Sequence, residues 1–361
     1  MRNIDKYLTA YLQHLLSLKQ PGLTPQLVLM ARFLAIMVLT NDILPFGRQI
    51  PYFDFINRLG NTIQFNNVML EMFRLSALLI IFTPLIRIGS FVAGCTFLFS
   101  LFACRPCLSV AHTFMSAIFI VIGLSNHSTG NSLVKIQLVI LYFGAFANKL
   151  FYADWWTGDY METLLITRHQ VEIYQRVAAL FPPKALSAAL GILSIFFELF
   201  VGICFIVKKL YKTGILICVA FHTIMIIMLG TAFGPFYFTL AFSYLVFTNW
   251  PWQITVNNSL LLSLANKLHL QNLFPHIVFN SGIKNKLQLT IAGESRNYYG
   301  YTALLMFFFC LPVTFYAIAY ISPLGGALLW IKAFHLLMLP LYWCFLNDYF
   351  KRKKPSVLVP A

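Results

Sequence analysis

The chain has 361 residues, of which 59% are hydrophobic and only 10% charged, with a mean hydropathy of +0.76 and a formal net charge of +15. Soluble domains carry roughly 25% charged residues, so the composition excludes an ordinary soluble globular protein and places the chain in a bilayer. The basic excess does not mark a nucleic-acid binder, because that needs a contiguous basic face on a soluble module; it reads as a signal of orientation in the membrane.

The opening stretch, MRNIDKYLTAYLQHLLSLKQPG, has neither a continuous apolar core nor a small-residue cleavage site, so no removable signal is expected. Ile4, Tyr7, Leu8, Tyr11, Leu12 and Leu15 recur at helical spacing and predict an amphipathic helix, lying on the membrane surface or packed on the bundle. Crossing the hydrocarbon takes about 20 apolar residues per helix. Candidate spans fall at 25–44, 67–86, 88–104, 108–125, 132–151, 185–207, 213–229, 233–250, 301–322 and 325–347. The expected fold is all-α: a polytopic integral membrane bundle of about ten transmembrane helices plus the N-terminal amphipathic helix. Residues 1–250 form the main transmembrane domain, 251–300 a basic connection, and 301–361 a C-terminal hairpin with a basic tail. In the connection, Leu260, Leu261, Leu264 and Leu268 suggest one short amphipathic helix and no second folded domain. Short links at Ile86–Ser90 and Ala103–Leu108 require antiparallel helical hairpins.

Lys and Arg flanking the spans stay on the cytoplasmic side. Lys208, Lys209 and Lys212 mark one loop, Lys267, Lys284, Lys286 and Arg296 the 251–300 connection, and Lys351, Arg352, Lys353 and Lys354 the tail. With that count both termini are cytoplasmic, and the acidic segment from Phe151 to Lys184, with Asp154, Asp159, Glu162 and Glu172, faces outward.

An ionisable group in hydrocarbon costs about 2.5 to 3.5 kcal/mol on insertion scales, so such residues face a cavity or a partner. The candidates are Arg32, Glu71, Arg74, His112, Lys149, Glu198, His222, Lys332 and His335. Lys149 is the sharpest, because a desolvated lysine at the edge of an apolar span can act as a base; a snorkelling lysine, or one paired with Asp154 or Asp159, fits the same pattern. His112, read as set deep in apolar sequence, can orient an anion or bond a neighbouring helix. Glu198 and His222 lie at comparable depth on either side of the Lys208–Lys212 hairpin, which makes a contact between them plausible.

Most of the seven cysteines lie in or beside apolar spans and read as buried thiols rather than a disulfide framework. The exception is Cys104-Arg105-Pro106-Cys107, a CxxC at an outward-facing turn where redox exchange is conceivable. No dinucleotide fingerprint, P-loop or HExxH metal motif occurs in a usable context, so neither a nucleotide nor a metal site is expected.

The order of LVLMARFLAIMVLTND around Arg32, LVKIQLVILYFGAFANKLFYADWWTGDYM around Lys149, a Glu-bearing span, and FHTIMIIMLGTAFGPFYFTLAFSYLVF after His222 resembles the membrane domain of the vitamin K-dependent gamma-carboxylases. More broadly it resembles the bacterial HTTM (horizontally transferred transmembrane) proteins, over residues 20–250. The resemblance implies a bacterial inner-membrane location and a quinone-like or other lipid-soluble molecule as cofactor or ligand. It puts the quinol-deprotonating lysine at Lys149, the assisting histidine at His112, and pocket residues at Asp154, Trp155, Glu198, His222 and Arg32. The carboxylases' large β-rich extramembrane region has no counterpart expected in residues 251–361, so binding or chemistry on a lipid-soluble molecule is implied rather than protein carboxylation. Three other functions stay open: a non-enzymatic membrane maturation, immunity or chaperone factor with a protein partner; a thiol–disulfide protein using Cys104 and Cys107; and a transporter, which the intramembrane charges suit although no symmetric broken-helix repeats appear.

Overall fold

The computed structural model describes residues 18, 20–40, 62–104, 109–126, 129–229, 234–247, 254–267, 270, 274, 276–282, 287–291, 297–312 and 314–317. The N-terminal amphipathic helix, the 325–347 span, Lys332, His335, Cys107 and the basic tail lie outside them.

Helices dominate. The first, α1 (Pro25–Thr40), is the axis of the bundle: Gln26 through Ala35 are all buried, as are Met37 and Val38. Apart from Gln26 and Arg32 its buried residues are apolar on every side, which puts the helix at the centre of the protein rather than at its edge. Around it run α2 (Thr62–Phe82), α3 (Ile86–Ala103), α4 (Val110–Leu124), α5 (Gly130–Phe151), α9 (Ala185–Ile206), α10 (Tyr211–Leu229) and α11 (Gly234–Ser243), the last continued by a 3-10 turn over Tyr244–Phe247. Between α5 and α9 the chain forms a cap of short pieces: α6 (Ala153–Thr157), α7 (Asp159–Glu162) running into a π-helical stretch to Arg168, and α8 (Glu172–Ala178).

Three of these helices, α3, α5 and α9, are both long and apolar enough to cross a membrane; α1, α4 and the Phe236–Phe247 stretch are apolar but shorter. Their outer faces fit hydrocarbon. On α9, Leu193, Phe196, Phe200 and Ile203 recur every three or four residues and are all exposed, while Ser187, Gly191, Ser194, Val201, Gly202 and Phe205 line the opposite face and are buried. Small residues on the inner face let backbones approach closely, and large apolar ones outside meet lipid. In α5 only 17% of the most apolar stretch is buried inside the protein, and Leu133, Ile136 and Ile140 stand exposed along one face.

The hairpin α3–α4 shows how tight the packing is. Ser116 Oγ donates to the Gly94 carbonyl at 2.8 Å across the interface. At Gly123 a Cβ would lie 2.6 Å from Phe91 N and 2.7 Å from its Cα, so the two backbones touch and only hydrogen fits. The expected turn at Ile86–Ser90 is helical, and the chain reverses just before it, around Thr83–Leu85, where Leu85 N donates to Thr83 Oγ1 at 3.1 Å.

The expectation of an all-α chain is corrected at residues 254–299, read from sequence as a loop with one helix. Four strands, β1 (Ile254–Asn257), β2 (Ile277–Asn280), β3 (Gln288–Ile291) and β4 (Asn297–Tyr299), form a mixed sheet in the order β2-β1-β3-β4. β1 pairs parallel with β2 and antiparallel with β3, Val256 facing Phe279 on one side and Leu289 on the other. The amphipathic helix does exist as α12 (Ser259–Lys267), and it is the crossover that the parallel pair requires. Alternation explains the strands: Ile254 and Val256, Ile277 and Phe279, then Leu289 and Tyr298 point into the core while their neighbours are less buried. These residues join the same hydrophobic core as the bundle, with Phe279 meeting Phe307 of α13 (Gly300–Phe309) at 6.3 Å between ring centroids.

Because α3 and α4 meet backbone to backbone, Gly123→Val forces them apart and is expected to cost about 1 to 3 kcal/mol, the range for overpacking. Thermal unfolding in detergent, compared with Ala117→Val on the same helix, measures it.

Candidate functional site

The site is built where α5 ends against the middle of α9. Lys149 is two residues from the last residue of α5. Helical side chains lean toward the helix N-terminus, so here the lysine is aimed back into the bundle rather than out to the headgroups. Its ammonium donates to Glu198 Oε1 at 2.5 Å and to Ser194 Oγ at 2.7 Å. Ser194 and Glu198 are four residues apart on α9 and therefore share a face. The lysine and glutamate side chains are 14% and 12% exposed, which makes this a largely buried ion pair. The second carboxylate oxygen, Glu198 Oε2, is buried and has no hydrogen-bond partner among the described residues.

The cap closes the site from above. Trp156 Nε1 donates to the Leu150 carbonyl at 3.0 Å, satisfying an acceptor in the last turn of α5 and folding α6 back over it. Trp155 then lies with its ring centroid 4.4 Å from the Lys149 ammonium and its other neighbour, Tyr160, stacked on it at 4.2 Å. A cation over an indole face is worth about 2 kcal/mol once desolvated. Gly191 of α9 lets the cap come this close, because a Cβ there would stand 2.1 Å from the Trp155 carbonyl oxygen. Met161, Leu165 and Tyr174 form the cap's own small core, against which Trp155, Leu186, Leu190 and Met225 pack. At the surface Lys184 donates to Asp159, which also accepts from Thr157 at 2.6 Å, so the cap is tied to the start of α9.

Of the other sequence-predicted residues, His222 lies within electrostatic reach of Lys149 and the rest fall elsewhere. Lys149 pairs with neither Asp154 nor Asp159: Asp154 is exposed in the first turn of α6, and Asp159 belongs to Lys184. His112, read as deep in an apolar span, sits in the first turn of α4, where its backbone N–H donates to the Ser109 cap at 3.2 Å and its Nδ1 lies 3.0 Å from the same hydroxyl. Its ring packs on Phe97 of α3 at 5.8 Å, whereas the described partners of Lys149 are on α6 and α9. The plausible Glu198–His222 contact is replaced by the pair with Lys149, and His222 donates from Nδ1 to the Cys218 carbonyl at 2.8 Å inside a shell of Tyr142, Phe197, Phe221, Phe236 and Tyr237. Arg32 is fully buried on α1 and donates to Tyr316 at 3.4 Å, which ties α1 to the chain beyond α13. Glu71 and Arg74 pair with each other on an exposed turn of α2. Cys104, of the CxxC turn, is disulfide-bonded, while Cys95, Cys204, Cys218 and Cys310 are free.

Sequence reading missed Ser194, whose signal was its position one turn before Glu198, and the Tyr142–Tyr244 hydroxyl pair, 2.6 Å apart and buried. Among the described residues no group of His, Cys, Asp and Glu is arranged to hold a metal ion. No family model matches the chain, and comparisons with curated proteins and with solved structures find no match.

Removing one partner of a buried ion pair strands the other charge and costs about 3 to 5 kcal/mol; with both side chains slightly exposed, Lys149→Met is expected at the lower end. Lys149→Met with Glu198→Gln recovers a large part of that loss, and a double-mutant cycle of unfolding in detergent measures the recovery. A second expectation concerns pH. Hydrogen bonds from Lys184 and Thr157 hold the Asp159 carboxyl below the usual aspartate range, and Asp159 holds Lys184 above the usual lysine range. The tie is therefore fully present from the ordinary aspartate value up to the ordinary lysine value; it is lost as pH falls through the lowered Asp159 value or rises through the raised Lys184 one. Amide exchange at residues 158–162, corrected for intrinsic rates, should quicken on the acid side, and in Asp159→Asn it should already be fast at neutral pH.

Proposed function

We propose that this is a multi-pass membrane protein of the HTTM type that binds the polar head of a quinone-like, lipid-soluble molecule at Lys149 and Glu198, on the face of the membrane away from the cytoplasm. One observation carries the reading: a buried ion pair under an indole ring, whose second carboxylate oxygen accepts no hydrogen bond from any described group. A buried acceptor left without a donor is costly, and a quinol hydroxyl supplies the missing one. Lys149, mobile on its four-carbon stem, is placed to donate to a quinone oxygen, and Glu198 to take the proton of a quinol. Exposed apolar faces on α5 and α9 give a lipid-soluble molecule a route to this position through the bilayer. The ten-span count, the cytoplasmic termini and the bacterial inner membrane belong to the same proposal, supported by the basic flanks at Lys208, Lys209 and Lys212 and by the resemblance around Lys149. The proposal is built on Lys149 and Glu198 alone; the described contacts of His112 lie on α3 and in its own cap.

Extraction of the purified protein with organic solvent, followed by chromatography of quinones, tests the reading. Wild type is expected to retain quinone, and Lys149→Met and Glu198→Gln to lose it by at least an order of magnitude while still folding. A folded wild-type protein that carries no quinone and takes up none from loaded vesicles would leave the non-enzymatic maturation, immunity or chaperone role in its place.

The disulfide at Cys104 favours a second reading, thiol–disulfide exchange at the CxxC turn. Capture of a mixed disulfide by Cys107→Ser in intact cells would support it.

A further inference from the structure

The cap carries a surface that the ion-pair site does not use. Helix α8 has two apolar faces. One, formed by Tyr174 and Ala178, packs on Met161 and Leu165 inside the cap. The other is bare: Ile173, Val177, Leu180 and Phe181 are 74%, 40%, 81% and 50% exposed. Spacings of four and three residues put Ile173, Val177 and Leu180 on a single side, because helical hydrogen bonding continues past Ala178, from Ala179 N to Gln175 O, Leu180 N to Val177 O and Phe181 N to Ala178 O, and Phe181, about 100° further round, extends the exposed surface toward α9. A contiguous exposed apolar patch of this kind marks an interaction surface.

Its location identifies the occupant. Phe181 is four residues from Ala185, the first residue of the spanning helix α9, whose outer face continues the same apolar character through Leu193, Phe196 and Phe200. From the end of α5 into the cap, Phe151, Tyr152, Trp156 and Tyr160 are also exposed, the aromatic composition of a membrane–water boundary. Residues 172–181 carry one acid and one base, Glu172 and Arg176, paired at 3.4 Å, and Lys184 is paired with Asp159, so attraction to anionic headgroups is not what holds the segment. Apolar burial is.

We infer that residues 172–181 lie in the plane of the membrane as an interfacial helix, with Ile173, Val177, Leu180 and Phe181 immersed at the headgroup–acyl boundary of the leaflet on the Lys149 side. The cap is then a float resting on the bilayer, and the way to Lys149 and Glu198 runs from the lipid rather than from the aqueous phase. The inference rests on the membrane-spanning reading of α9 and not on the identity of any ligand.

Ile173→Cys, Leu180→Cys, Gln175→Cys and Leu193→Cys are labelled with a nitroxide in the full chain, reconstituted in phosphatidylcholine vesicles, with labelled wild type as the background. Power saturation compares collision with oxygen, which concentrates in lipid, and with a nickel chelate, which stays in water. Labels at 173 and 180 are expected to favour oxygen, as at 193, and the label at 175 to favour the chelate; the pattern should be the same when phosphatidylglycerol is added. Chelate-dominated labels at 173 and 180, with 193 in lipid, overturn the inference and leave the spanning reading intact. Labels at 173 and 180 shielded from both reagents mean that protein covers the face, which also overturns it. A chelate-dominated label at 193 removes the spanning reading and the inference together.

Discussion

The ion pair between Lys149 and Glu198 is the interaction on which this end of the molecule depends. Each charge alone would be expensive inside an apolar bundle, and their mutual attraction repays the cost only with good geometry and further hydrogen bonds. Ser194 and the Trp155 ring supply these for the lysine; the glutamate is satisfied on one oxygen only. The pair therefore fixes three things at once. It sets where α5 and α9 meet, it holds the fold-back of α6 over the end of α5, and it leaves an acceptor with an open valence in a place that water reaches poorly.

The cap extends that logic from a contact to an arrangement. Thirty-three residues separate Phe151 from Ala185, and they return the chain to the same side of the bundle before α9 begins. With no long helix of its own, the cap is organised by Met161, Leu165 and Tyr174, by a close approach at Gly191, and by the surface tie between Asp159 and Lys184. Such a segment opens locally at a lower cost than a spanning helix, since it buries little and much of it is exposed. The part of the fold that covers the charged pair is thus the part most easily moved.

Much of this was legible in the sequence, and the failures have physical causes. Apolar length placed α3, α5 and α9 within a few residues of where they lie, because hydrocarbon thickness leaves little choice of helix length. Lys149 stood out for the same reason. Its partner did not: local reading favoured Asp154 and Asp159, five and ten residues on, whereas the true partner is 49 residues away, brought back by the cap. His112 is in the first turn of α4 rather than deep in the span, because the helix begins only at Val110, behind the Ser109 cap. The sheet was overlooked because its strands are only three or four residues long, so the leucines of α12 dominated the pattern while ITVN and IVFN passed as loop.

One face of α5 has a mechanical meaning. Lys135, Tyr142 and Lys149 follow one another at intervals of seven, nearly two full turns each, so all three project along one line of the helix. Each is engaged on that line: Lys135 over the rings of Tyr211 and Phe247, Tyr142 with Tyr244, Lys149 with Glu198. Slipping by a single residue would turn the helix by about 100° and swing both cations toward hydrocarbon. The helix behaves like a keyed shaft whose angular setting is held near each of its ends by a cation.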